Sequence, residues 1–177
     1  MRRHDSPPAV GPLVGLLDQL LDLIESLSDE EYARKPVGVV QSSVGGHVRH
    51  NFDHVDALLR GLLAGEVNYD HRERGTDVER DRLAAVAEIL RLKRELSAFS
   101  WHAVPHPVKL TALVAPDWPP VTAVTSAERE LAFVVSHTIH HNALIAVMVK
   151  LIGAAVPAGF GYAPSTIIHQ RSRACVR

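Results

Sequence analysis

The chain has 177 residues, 46% of them hydrophobic and 22% charged, with a formal net charge of -1 and an isoelectric point near 6.8. That apolar content suffices for one domain with a sizeable core, while scattered Lys and Arg at near-zero net charge give no basic field for nucleic acid. Cys175 is the one cysteine, which excludes an intrachain disulfide framework and a cysteine metal site and suits a cytoplasmic setting.

Met1 to Pro8 carries two arginines, but Asp18, Asp22 and Glu25 interrupt the apolar run that follows, so no secretory signal is expected. From about Val10 to Leu27, Leu13, Leu16, Leu17, Leu20, Leu21 and Ile24 recur at helical spacing behind Pro7 and Pro8, predicting a first helix. Ser28 and Glu31 read as the capping box of a short helical turn that Pro36 stops. A second helix is expected from Ser43 to about Leu63, closing at Gly65. Residues 66–76 read as a polar loop, and a third, amphipathic helix spans about Asp77 to Phe99, with Leu83, Val86, Ile89, Leu90, Leu92 and Leu96 on its apolar side. Val108 to Val114 and Val121 to Val124, around a turn rich in proline, predict a short hairpin. Thr125 to Glu128 reads as a capping box opening a fourth helix that runs to Gly153. That helix is long enough to span a bilayer, yet it carries Ser136, three histidines, Asn142 and Lys150, which mark a buried helix of a soluble protein rather than a membrane span.

The fold expected is therefore all-α. It is a four-helix bundle with a long crossover between helices three and four that holds a short β-hairpin. Residues 1–177 form a single domain, and residues 154–177 an irregular C-terminal extension punctuated by proline and glycine.

Eleven histidines are well above ordinary usage. His137 and His141 are one helical turn apart on a stripe that also carries Phe133, Val134, Leu144, Ile145 and Met148. Burying one unpaired polar ring costs about 1–3 kcal/mol, so two at one level call for a shared partner, and a divalent metal satisfies both. A second cluster, His47, His50 and His54, recurs at spacings of three and four on helix two, with His47, Asn51 and His54 at the shoulder of its apolar side. If the two helices are neighbours, one of these histidines completes a three-nitrogen site with a fourth position open. His140 is rotated about 60° from His137 and suits a supporting role better than ligation. Asp53 reads as a surface carboxylate, with a hydrogen-bond acceptor beside the site or a general base as its alternative. Arg72 and Arg74 are loop cations able to meet an anionic thiol or carboxylate. His4, His71, His102, His106 and His169 have no partner at helical spacing.

Ser43 with His50, and the later His137-Thr138-Ile139-His140-His141, resemble the DinB/YfiT-like family of metal-dependent four-helix-bundle proteins. The Gly46-to-His54 segment, Tyr69-Asp70-His71-Arg72 and the tail Gly159 to Thr166 look like one uncharacterised bacterial branch of it. The resemblance implies a divalent metal, zinc or nickel, on His50, His137 and His141, with His54 and His47 as rivals for the helix-two ligand. It further implies thiol-dependent group transfer, as in the family's mycothiol-dependent maleylpyruvate isomerase, with the metal favouring the thiolate of a low-molecular-weight thiol.

The expectation is a cytoplasmic metal-dependent enzyme that activates a thiol or water for group transfer or hydrolysis of a small-molecule substrate. The competing expectation is a non-catalytic metal-binding or ligand- or partner-binding bundle, with the metal shell closed by His54. A blander alternative has the histidines pairing with one another and with Asn51 and Asn142 and binding no metal. Homodimerisation is compatible with all three.

Overall fold

The structure is a computed structural model that describes residues 6–36, 38, 40–70 and 75–174. His4, His71, Arg72, Arg74 and Cys175 lie outside the described residues.

Helix α1 spans Val10–Ser26, α2 Asp29–Ala33, α3 Val44–Ala64, α4 Arg82–Ala98, α5 Ala127–Leu151 and α6 Pro164–Ala174, while strands β1 Glu66–Asn68, β2 Val108–Ala112 and β3 Val121–Thr125 form one small sheet. The fold is mostly helical, and the all-α expectation is corrected by this sheet. The four long helices make their principal contacts in the cyclic order α1, α4, α3, α5 and back to α1. Their inward stripes make up the core. On α1 these are Leu13, Leu17, Leu20, Leu23 and Ile24, on α3 Val48, Phe52, Val55, Leu58, Leu59 and Leu62, on α4 Ala85, Ile89, Leu92 and Leu96, and on α5 Leu131, Val134, Ile145, Met148 and Val149. Most steps are of three or four, with the buried Thr138 and Asn142 filling the interval from Val134 to Ile145 on α5, the period that keeps one helix face turned to its neighbours.

The helix ends follow from local chemistry. Ser28 and Glu31 make the reciprocal capping box, and Ser43 caps α3 by accepting from the Gly46 amide at 3.1 Å. Gly65, at φ 76°, closes α3 in the left-handed conformation. Two boundaries differ from expectation. The α5 cap is Ser126, which accepts from the Arg129 amide, while the Thr125 hydroxyl donates to Glu130 instead. Helix α4 starts at Arg82 behind Asp81, whose carboxylate accepts from the Leu83 and Ala84 amides, and Asp77–Glu79 is a separate 3-10 turn. Leu83 and Leu90 accordingly face outward.

The expected hairpin is present as β2 paired antiparallel with β3, Val108 opposite Thr125 and Ala112 opposite Val121. The segment expected as polar loop supplies β1, which pairs parallel with β2 through Val67 opposite Leu110. The tail expected to be irregular contains α6, and before it Phe160 is buried and Gly161 packs on α5. By length and composition α5 would suit a bilayer; here its buried residues belong to the helical core.

Candidate metal centre

Helices α3 and α5 are packed side by side, and their histidines meet across that contact. His50 Nε2 lies 3.1 Å from His137 Nε2, and His47 Nδ1 lies 3.1 Å from His141 Nδ1. His54 is buried, with its Nδ1 3.0 Å from the His50 carbonyl oxygen. Since a carbonyl only accepts, His54 Nδ1–H donates there and its acceptor nitrogen in the neutral ring is Nε2. His47, His50, His137 and His141 are half-buried, so the cluster meets solvent. His140 is exposed and stands edge-on to His141 at 5.2 Å between ring centres.

Proximity groups His50, His54 and His137, each with a ligating nitrogen within 4.8 Å of the others. Ring planes separate the contenders further. An imidazole ligates through a lone pair in its own plane, so two rings serve one ion only where their planes meet close to both ligating nitrogens, which inclined rings allow and face-to-face stacked rings do not. His50 and His137 are inclined by 63°, His50 and His141 by 71°, and His137 and His141 by 49°. His54 instead stacks on His137, 18° from parallel with 3.8 Å between centres, so in this arrangement the two cannot aim in-plane lone pairs at a common point. His50 Nε2 and His137 Nε2 also have about the right separation, because two ligands about 2.0–2.1 Å from a tetrahedral zinc stand about 3.3 Å apart. The donor set therefore fits a divalent ion with imidazole ligands.

Electrostatics favour the neutral, metal-binding form of His141 and of its neighbour His47. Burial, followed by the neighbouring His137 and His47 rings, pushes the His141 pKa down to about 3, and burial lowers His47 as well. Such rings stay neutral at ordinary pH, as ligation requires.

Several side chains stand behind the histidines, and of these Glu130 carried no sequence signal. The Tyr69 ring stacks on the outer face of His54, 7° from parallel at 5.3 Å, and its hydroxyl donates to Glu130 at 2.9 Å. Glu130 is fully buried and also accepts from Thr125 at 2.6 Å and Arg129 at 2.8 Å. Phe133 packs 5.1 Å from Tyr69. Asn51 and Asn142 bond to each other, Nδ2 to Oδ1 at 3.1 Å, one layer deeper in the α3–α5 contact. Asp53 pairs with Arg49, which also bonds Glu79 at 3.0 Å. Arg49 and Asp53 border a separate groove of about 1010 Å³ with Asp56, Arg60 and Arg91, and none of the five clustered histidines lines it.

Comparison with known proteins bears on this site. FK506-binding protein 5 of Rhizopus delemar is 32% identical over 158 residues, 88% of this chain but 36% of that protein, so the chain spans about a third of its relative's length. No solved structure matches the chain. A profile of the DinB superfamily matches residues 13–145, which takes in α3, α5 through Ile145 and all five clustered histidines. The chain belongs to the DinB superfamily.

Proposed function

We propose that this protein is a divalent-metal-dependent enzyme whose ion is held by His50, His137 and His141, within a four-helix bundle formed by α1, α3, α4 and α5. The observation that carries the reading is the mutual inclination of those three rings, 49° to 71°, across the α3–α5 contact. Zinc or nickel suits the donors. A bound ion with a free coordination position would supply Lewis acidity that favours the thiolate of a small thiol, or hydroxide from water. The chain's own contribution is orientation. Asn51 with Asn142 and the Tyr69–Glu130 pair hold the two helices and the His54 ring in place, and half-burial of the histidines leaves an approach for a small-molecule substrate. Group transfer or hydrolysis in the cytoplasm is the activity this implies. It needs no nucleic acid or membrane.

Cobalt(II) substitution tests the open position. With cobalt bound, adding a low-molecular-weight thiol is expected to produce a sulfur-to-cobalt charge-transfer band in the near ultraviolet. A spectrum unmoved by thiol or by azide would indicate a closed shell and overturn the enzyme reading.

A second reading, a non-catalytic metal-binding module that dimerises or docks a partner, is favoured by one observation. Leu113, Val114, Trp118, Val121 and Val124 on the β2–β3 hairpin are all exposed, and β3 is an uncharged edge strand. A concentration-independent monomer by ultracentrifugation would remove the homodimer from it.

A further inference from the structure

The superfamily's metal reading accounts for three histidines and leaves His47 without a task. We propose that His47 is the positioning residue of His141: its Nδ1 accepts the His141 Nδ1–H, and so presents His141 Nε2 to the ion. This rests on the metal reading above.

The argument starts from the 3.1 Å separation of the two Nδ1 atoms. At that distance the contact is a hydrogen bond, so one nitrogen carries a proton and the other a lone pair. The ring geometry decides which. His141 lies 4.4 Å from His50 and 4.5 Å from His137 between centres, inclined to both, while its Nδ1 is turned to His47. The nitrogen left to ligate is Nε2, the same atom through which His50 and His137 face each other. A neutral imidazole that ligates through Nε2 carries its proton on Nδ1. His141 is therefore the donor and His47 the acceptor, in its Nε2–H tautomer.

Local sequence explains why α3 supplies this acceptor. His47 precedes His50 by three positions, so on one helix both face α5, and His47 is one turn nearer the α3 N-terminus. In the antiparallel direction α5 places His141 one turn beyond His137. The pairs His50–His137 and His47–His141 are thus successive rungs of one α3–α5 ladder, the first meeting Nε2 to Nε2 and the second Nδ1 to Nδ1. The second rung has the arrangement by which ligating histidines are usually held, an outer hydrogen bond to the ring nitrogen that does not ligate.

The experiment measures zinc affinity by chelator competition on the full chain, for wild type, His47→Phe, His47→Asn and a Tyr32→Phe control, together with nitrogen-15 NMR of zinc-loaded wild type. His47→Phe keeps the ring volume but loses the acceptor, and about a 10- to 100-fold weaker zinc affinity is expected. His47→Asn puts Oδ1 as many bonds from the backbone as Nδ1, and recovery to within a few-fold of wild type is expected. Tyr32→Phe removes a buried hydrogen bond to the Val78 carbonyl and bonds none of the clustered histidines, so it should leave zinc affinity within a few-fold of wild type. The NMR readout needs no variant: the proton of His141 is expected on Nδ1 and that of His47 on Nε2. Unchanged affinity in His47→Phe, or a His141 proton found on Nε2, would overturn the assignment of His47 while leaving the metal site standing. Wild type that takes up no zinc would overturn both.

Discussion

Gly161→Ala probes how the tail is seated on the site helix. Gly161 sits at φ 73°, and a Cβ there would come within 2.7 Å of the Ala143 backbone nitrogen and Cα and 2.8 Å of the Asn142 carbonyl carbon, on the α5 turn that follows His141. The positive φ costs about 1 kcal/mol for alanine. The contact is with backbone that cannot rotate away, so overpacking adds about 1–3 kcal/mol. Undocking the tail relieves both, at the expense of exposing Phe160, which is 3% exposed in the fold. Releasing a side chain of that kind costs about 2–3 kcal/mol, which caps the loss. For a chain of this size that corresponds to a fall of roughly 5–10 °C in Tm. Gly159→Ala isolates the contact, since Gly159 has a similar φ of 79° but nothing within 4 Å of a Cβ; about 1 kcal/mol is expected there. Thermal and urea denaturation measure both variants, and limited proteolysis is expected to cut Gly161→Ala between Ala154 and Pro164 while the rest of the chain survives. Equal losses in the two variants, or a wild-type cleavage pattern in Gly161→Ala, would refute the close seating of the tail.

Two further substitutions test the supports of the site and fold. Glu130→Ala leaves the Tyr69 and Thr125 hydroxyls without their acceptor next to His54, so a loss of about 2–4 kcal/mol is expected in chemical denaturation, with a change in Tyr69 packing visible in near-ultraviolet circular dichroism. Tyr32→Phe removes a 2.7 Å bond from a fully buried hydroxyl to the Val78 carbonyl, which ties α2 to the turn before α4; about 1 kcal/mol is expected by the same measurement, with zinc affinity unchanged.

Particular residues explain how much of this was legible. Helix cores and most ends follow from near-neighbour chemistry, so the leucines of α1, the Ser28–Glu31 box and the Gly65 cap were all readable. What depends on distant partners was not. Glu66-Val67-Asn68 becomes a strand because β2 lies beside it, and nothing in three such residues announces a parallel partner more than 40 positions away. Leu83 and Leu90 have the hydrophobicity of core residues, but α4 turns the stripe of Ala85, Ile89, Leu92 and Leu96 inward. At the site, the i, i+4 pair and the second cluster pointed to the two helices whose histidines meet. The spacing could not rank His50, His54 and His47, because ranking them needs ring orientation: His54 stacked on His137 and bonded to a carbonyl, His47 facing His141. The buried Glu130 offered no signal either, since its burial depends on Tyr69 and Thr125 arriving from other elements.

The most direct test of the metal centre is metal content by mass spectrometry, on protein purified without a histidine tag, for wild type and for the double variant His137→Ala, His141→Ala. About one equivalent of zinc or nickel in wild type, lost in the double variant while it stays folded by circular dichroism, is the predicted result. Metal absent from wild type after reconstitution with either ion, or retained in full by the double variant, would contradict it.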